Sequence, residues 1–474
     1  MRRPRLLALA AGLAAGLLTL GPLAPLALLP LAALLHLAAA ADTPQRLGWG
    51  AFGYVGAHLW WVMLLAAQIF GFPPAGLLAL ALYAVEALFF AALGLLVSRA
   101  FCTPRARLWA LAGGWVLLEW LRTLGTLAFP WPTLGYIWLE TPVIQAADLG
   151  GILLISWASV FMAAALADGR RPPRRAALVL LALLTGYGLT RTAADGEAAR
   201  AFVTRSDVSG FDRLQYGTLL PELQRISAGR QGDEPVIWSE TALHPDQNEQ
   251  ALFPAPGLSG AGNFSPPTNT VIAIDAQGRI TGENHKGRPV PFGEAFPAQG
   301  VLRPVYALLS QASGFNLLES IQPAEKMVPL DLGGIRYGAY VCYDSVFSWP
   351  ARELSRAGAE VLVNVSNDSW YAGAGVKQHF DMGRVRAIEN RRWVLRAVQK
   401  GWAGSVDDLG RPREVIREGA QGRSVAYRRL YGVTLYQRLG DLPALGLALL
   451  LILWAARIKR GGPQPGNRPP VPPP

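Results

Sequence analysis

Cys342 closes the run Ile335-Arg-Tyr-Gly-Ala-Tyr-Val-Cys342-Tyr-Asp344, a strand-like segment that ends abruptly in polar residues. Upstream stand Glu240, in Trp-Ser-Glu-Thr-Ala, and Lys286, in Asn-His-Lys-Gly-Arg. A free thiol has a pKa of about 8.5, so only a few per cent is thiolate at neutral pH and a base must take its proton. Glu240 is the candidate for that role. Attack on a carbonyl leaves negative charge on its oxygen, which Lys286 can meet as a fixed cation, helped by a backbone N–H beside Cys342. The three together point to acyl chemistry through a thioester. Taken singly, each has an ordinary reading: a small buried hydrophobe, a helix-start residue and a solvated loop cation. His285, beside Lys286, makes a Cys–His pair the rival arrangement, whereas His379 reads as structural.

The segments that would carry these residues alternate between strand-like and helix-like. Pro235-Val-Ile-Trp238 leads into Glu240, Asn269–Asp275 reads as a second strand, and Val361–Val365 leads into Ser366-Asn-Asp-Ser-Trp370. The spacing predicts a helix over 378–396 with a charged face. Strands that end in reactive residues fit an α/β sheet with its site at the strand ends.

Around this region the chain is apolar. Of 474 residues 51% are hydrophobic and 16% charged, and the apolar residues concentrate before about 192 and again at about 441–457. Eight stretches approach the roughly 20 residues a membrane span needs: 5–20, 23–40, 51–70, 74–97, 106–126, 143–167, 175–192 and 441–457. Basic clusters at Arg2/Arg3/Arg5, Arg99/Arg105/Arg107, Arg170/Arg171/Arg174/Arg175 and Arg457/Lys459/Arg460 fall on one side if the amino terminus is inside. That puts residues 193–440 outside the cytoplasm, and it accounts for the net charge of +11 without a nucleic-acid partner. A cleaved signal peptide is the rival reading of the amino terminus, opposed by the length of the apolar stretch and its Gly21-Pro22 break. Glu119 and Arg122, three apart on one helix, are within reach of each other, as a structural pair or as a substrate contact. The aromatic, proline-rich loop Phe129–Tyr136 is expected at the outer interface. The second cysteine, Cys102, sits in an Arg-rich loop, so no disulfide framework is expected.

Several motifs resemble one family, the apolipoprotein N-acyltransferases. They are Trp238-Ser-Glu240-Thr-Ala, Lys286 eight residues before Glu294 of Val-Pro-Phe-Gly-Glu-Ala-Phe-Pro, Val-Cys342-Tyr-Asp344, and Val-Ser366-Asn-Asp-Ser-Trp370. Phe129-Pro-Trp, Gly135-Tyr136, Gln145-Ala-Ala-Asp-Leu-Gly, Gln378-His, Arg384–Glu389 and Gly432–Asp441 extend the likeness over nearly the whole chain. The resemblance implies a multi-span α-helical membrane domain joined to an extracytoplasmic α/β nitrilase-like domain, an α-β-β-α sandwich. The expected division is 1–192 with seven spans, 193–440 catalytic, 441–460 as the eighth span, and 461–474 a disordered cytoplasmic tail. It implies catalytic Glu240, Lys286 and Cys342, with Glu294, Tyr343 and Asp344 positioning them or the acceptor amine. It implies a bacterial inner-membrane enzyme, with the catalytic domain on the periplasmic side. That enzyme moves an acyl chain from a phospholipid donor, through a Cys thioester, to the α-amine of a diacylglyceryl-modified apolipoprotein. No metal or organic cofactor is expected, and the chain is expected to be a monomer.

Three departures stand out. Phe202–Val208 lacks the family's usual Val-Gln-Gly-Asn and following tryptophan, Asp344 stands where glutamate is usual, and Val398-Gln-Lys-Gly-Trp402 replaces an Asn-rich segment. They keep open a membrane-tethered nitrilase-type amidase and a paralogue acylating a different amine; a non-enzymatic scaffold is disfavoured by the intact trio.

Overall fold

The computed structural model describes residues 2–209, 218–264, 266–313 and 317–458. The tail expected to be disordered, 461–474, lies outside them.

Each apolar stretch folds as helix, but their lengths differ. Two helices, Pro73–Ala100 and Pro142–Asp168, are long and apolar enough to cross a membrane. The stretch read as one span over 51–70 is instead two helices, Thr43–His58 and Trp61–Phe70, bent by 67°. Gln378, from a distant helix, holds that bend. Its Oε1 accepts from Trp61 Nε1 (2.9 Å) and its Nε2 donates to the His58 carbonyl (3.0 Å). The helix Ala147–Asp168 is itself kinked at Gly150-Gly151, where Gly151 has φ +72°. A Cβ there would also lie 2.6 Å from the Tyr436 ring, so the position requires glycine.

A Glu119–Arg122 pair does not form. Glu119 accepts from Trp115 Nε1 and from the Leu134 N–H (both 2.9 Å). Arg122, at the helix end, pairs with Glu86 at 2.8 Å and donates to the Phe129 and Trp131 carbonyls. Spacing of three put the two side chains on one face, but a buried guanidinium has five donors to satisfy, and the Glu86 carboxylate with the Phe129, Trp131 and Pro132 carbonyls satisfies them better. The Phe129–Tyr136 loop packs against other aromatic residues of the chain. Trp131 is buried and packs against Trp61 and Tyr371, with ring centroids 5.6 and 5.7 Å away.

The rest of the chain builds one sheet of eleven strands. These are β1 (Glu197–Ser206), β2 (Val236–Ile237), β3 (Gly257–Phe264), β4 (Pro267–Ile274), β5 (Ile280–His285) and β6 (Leu330–Leu332). β7 (Ile335–Val341), β8 (Val361–Asn367), β9 (Val394–Gln399), β10 (Gly404–Val406) and β11 (Gln421–Arg429) complete it. The order is β5-β4-β3-β2-β1-β9-β8-β7-β6, with β10 on β9 and β11 on β1. Val203, Ile237, Val271, Ala339, Val363 and Leu395, drawn from both ends of this path, share one core. The sheet is therefore folded face to face. The helix Leu219–Ser227 covers one outer face, and Ser348–Arg356 and Ala374–Asn390 cover the other. This is the layering expected of a nitrilase-like α-β-β-α sandwich.

The helix expected to run to 396 stops at Asn390, because Arg391 turns left-handed (φ +47°) and Val394 begins β9. Its charged face is not solvated. Arg384, Arg386 and Glu389 are buried, packed against the apolar helices through a core that also holds Met382, Val385 and Ile388.

Candidate active site

β1, β2, β7, β8 and β9 run parallel, so their carboxyl ends meet at one edge of the sandwich. The residues singled out by type and spacing stand there. Glu240 follows β2, Lys286 directly follows β5, Cys342 directly follows β7, and Asp368 directly follows β8. Strand ends in such sheets leave backbone groups and side chains free for chemistry.

Lys286 is the centre of the constellation. Its ammonium, 1% exposed, lies 3.1 Å from Glu240 Oε1 and 2.8 Å from the Glu294 carboxylate. Asn269 Nδ2 donates to the same two acids, at 2.7 and 2.9 Å. Its β4 carbonyl accepts the Lys286 N–H at 2.8 Å, which fixes where the lysine leaves the sheet. Burial works against the ammonium, but Glu240, Glu294 and Cys342 outweigh it and hold the Lys286 pKa well above its ordinary value.

Cys342 is buried and its backbone is left-handed, φ +43°. For a residue with a Cβ this conformation costs of order 1–3 kcal/mol and persists only when neighbours enforce it. Here they do. The Cys342 carbonyl accepts from Ser345 Oγ (2.8 Å) and lies 3.2 Å from His379 Nε2. Asp344 Oδ2 accepts the Val341 N–H at 3.2 Å. Burial pushes the thiol's pKa well up, Glu240 adds to this, and Lys286 opposes it. Burial thus favours the neutral thiol, so any use of its sulfur as a nucleophile would need a base to take the proton.

The three supporting candidates divide. Glu294 belongs to the ion cluster, and its Oε2 also accepts the Val290 N–H (2.9 Å). Asp344 ties two segments, accepting from the N–H groups of Gly287 (3.1 Å) and Arg288 (2.7 Å) as well as Val341. Burial raises its pKa to about 7 against the pull of Lys286 and these donors. Tyr343 points away from the acids, donating its hydroxyl to the Ala128 carbonyl at 3.0 Å in the loop that Arg122 braces. The rival base His285 lies on the outer side of β5, 40% exposed, 3.5 Å from Glu283.

Two groups had no role in the sequence reading. Gln399, at the end of β9 in the segment that departs from the family pattern, donates to the Glu240 carbonyl at 2.6 Å. Beneath Cys342, His379 Nδ1 meets Asp368 Oδ1 at 2.8 Å, and Arg396 reaches both Asp368 oxygens at 2.7–2.8 Å. Burial opposes ionisation of Asp368, but Arg396, His379 and the Ser366 hydroxyl outweigh it and hold its pKa at about 2. A cysteine, an aspartate and a histidine atom here lie within 4.8 Å of one another. Arg396 already supplies the cation that Asp368 takes, so the trio reads as the floor of the site. The signal was present in Ser366-Asn-Asp368-Ser and Gln378-His379, but the pairing spans β8, β9 and a helix.

Comparison with known proteins bears on the whole chain. Residues 7–165 match the family model of the apolipoprotein N-acyltransferase N-terminal domain, and residues 253–426 that of the carbon-nitrogen hydrolases. An apolipoprotein N-acyltransferase of Azotobacter vinelandii is 33% identical, over 97% of this chain and 96% of its own. One of Pseudomonas aeruginosa is 31% identical over 94% of each, and one of Agrobacterium fabrum 31% over 77% and 76%.

Proposed function

Because the chain belongs to the apolipoprotein N-acyltransferase family, and so acts in lipoprotein N-acylation, we propose that Glu240, Lys286 and Cys342 perform the transfer in two half-reactions. In the first, Glu240 takes the Cys342 proton as sulfur attacks an ester carbonyl of a phospholipid. Lys286 faces the developing oxyanion. The intermediate collapses to a thioester, the ester C–O bond breaks, and the proton passes from Glu240 to the departing lysophospholipid oxygen. In the second, the α-amine of the diacylglyceryl-cysteine attacks the thioester carbonyl. Glu240 accepts the amine's proton and returns it to the Cys342 thiolate. Such a scheme combines a nucleophile, a base within reach and a preorganised cation. The observation that carries it is the buried Lys286 ammonium held between Glu240 and Glu294 beside a conformationally strained cysteine. Glu294 and Asp344 hold Lys286 and its loop, and Tyr343 anchors the site to the helical part.

The proposed organisation is a helical membrane domain over 1–192, a catalytic domain over 193–440 and a last span over 441–460, with the catalytic domain on the extracytoplasmic side. Three contacts support the orientation. Asp168, at one end of its helix, meets Arg105 (2.9 Å) and Arg170 (3.6 Å) from two different basic clusters. Asp148, near the other end, meets Arg391 of the catalytic part at 2.8 Å. Two of the four basic clusters and the catalytic part are thus held at opposite ends of one helix, which supports an orientation with the basic clusters inside.

The test is single-turnover incubation with a tagged phospholipid and no acceptor. Cys342 should acquire a hydroxylamine-labile acyl group, and Cys342→Ser should neither label nor acylate a lipoprotein amino terminus. Full transfer by Cys342→Ser would overturn the mechanism.

A further inference from the structure

A cavity of about 210 Å³ lies where the catalytic domain meets the apolar helices. Leu124 and Ile152 line it from the helical side, Arg288, Phe347 and Trp349 from the catalytic side, and Asp441 from the start of the last helix. It contains none of Glu240, Lys286 and Cys342, yet it is tied to them. Arg288 lies two residues past Lys286, and Phe347 and Trp349 follow Cys342. Asp344 clamps the two segments together through the Gly287 and Arg288 N–H groups.

Arg288 has an unusual setting for a guanidinium. It sits 5.6 Å from the ring centroids of both Phe347 and Trp349. It forms no ion pair with any described residue, and its Nε is buried without a hydrogen-bond partner. Trp349 Nε1 is a second buried donor without one. The acid of the wall, Asp441, forms no ion pair with Arg288; the cations whose charge acts on it are Arg352 and Arg386. A guanidinium backed by aromatic faces, with no carboxylate to neutralise it, is suited to bind an oxyanion through parallel N–H bonds. Leu124, Ile152 and Leu153 give the cavity an apolar wall on the side of the helices, and Thr123, Thr133 and Ser348 add hydroxyls to it. A ligand that carries an oxyanion and fatty-acyl esters on one molecule matches both.

We propose that Arg288 holds the phosphodiester of the acyl donor in this cavity, leaving an ester carbonyl free to reach Cys342. The assignment rests on the reading that phospholipid loads Cys342. It makes Arg288 a donor-specificity residue, acting in the first half-reaction and through phosphate alone.

The experiment compares two donors on the full chain in detergent: a phospholipid, and a diacylglycerol with the same acyl chains but no phosphate. Single-turnover loading of Cys342 is read for each. The wild-type protein should prefer the phospholipid by about tenfold or more, the worth of a charge-assisted hydrogen bond. Arg288→Ala should collapse the ratio to within about twofold by slowing the phospholipid reaction. Arg288→Lys, which keeps the charge without the planar fork, should retain part of the preference. The clamp on Lys286 uses the backbone N–H of residue 288, so it survives both substitutions. An unchanged ratio in Arg288→Ala, or an equal fall with both donors, would overturn the assignment. So would inorganic phosphate that raises the wild-type but not the Arg288→Ala melting temperature while leaving lipid loading unchanged, since that describes a free-anion site. Failure of the wild-type protein to load from either donor would instead sink the thioester reading beneath it.

Discussion

Replacing Lys286 with methionine keeps the stem and removes the one positive charge between two acids. Glu240 and Glu294 would still share Asn269 Nδ2 but no longer an ammonium, with Glu240 nearly fully buried. Removing one partner of a buried pair typically costs about 3–5 kcal/mol, because the remaining charge is left uncompensated. The rate should fall for two reasons. Loss of one oxyanion partner costs about 10²–10³. In addition, two buried carboxylates without their cation favour holding a proton, which disables Glu240 as a base. Acyl-enzyme formation should therefore drop by at least about a hundredfold, and the melting temperature in detergent should fall measurably. The double variant Lys286→Met/Glu294→Gln separates the effects. With one acid left on Asn269, most of the stability should return while the rate stays low. Tagged-phospholipid labelling of Cys342, read beside thermal melts, provides both numbers. Near-normal labelling in Lys286→Met, or labelling restored in the double variant, would show that the charge does not act on the oxyanion.

Glu294→Gln alone should weaken the grip on Lys286 yet leave some thioester to accumulate from phospholipid, with transfer to the amine slowed more than loading; equal slowing of both steps counts against an acceptor-positioning part. Asp368, held at a pKa of about 2 against an unfolded value of 3.8, contributes stability that is present above pH 3.8 and lost as pH falls through about 2. Asp368→Asn should thus be less stable at neutral pH and lose less between pH 4 and 2, and parallel acid-unfolding curves for the two proteins would refute this. Cys102 is exposed and Cys342 buried with a raised pKa, so a thiol alkylator at pH 7 should modify Cys102 first, as read by peptide mass. Topology reporters fused after Arg99 and after Asp168 should read cytoplasmic and one within 220–430 external; the reverse would remove the domain from its substrate.

Much of the site was legible because strand ends in a parallel sheet announce themselves. Runs of Val, Ile and Tyr stop at Cys342, at Ser366 and before Glu240, and each stop is a site residue. What stayed hidden depends on partners far away in the chain. Arg384, Arg386 and Glu389 have the spacing of a solvated helical face, yet Glu140, the Val346 carbonyl and the Ile152 N–H bury them. The bend after His58 carries no proline or glycine to mark it; a glutamine more than 300 residues later imposes it. Glu119 and Arg122 obey the helical pairing rule and still choose other partners, since loop carbonyls compete for a guanidinium. Arg288 drew no reading from the sequence, because its place against Phe347 and Trp349 depends on residues some sixty positions later in the chain.

The kink at Gly150-Gly151 frees the N–H of Ile152, and its acceptor is the carboxylate of Glu389, 2.9 Å away and 237 residues later in the chain. During synthesis the apolar helices before residue 192 leave the ribosome well before that carboxylate exists. One of them therefore waits with an unsatisfied donor at its break, a state that costs most in lipid. Closure of this gap needs the helix Ala374–Asn390 in place against the bundle. The finished form of the helical part thus depends on a carboxylate that is made well after it.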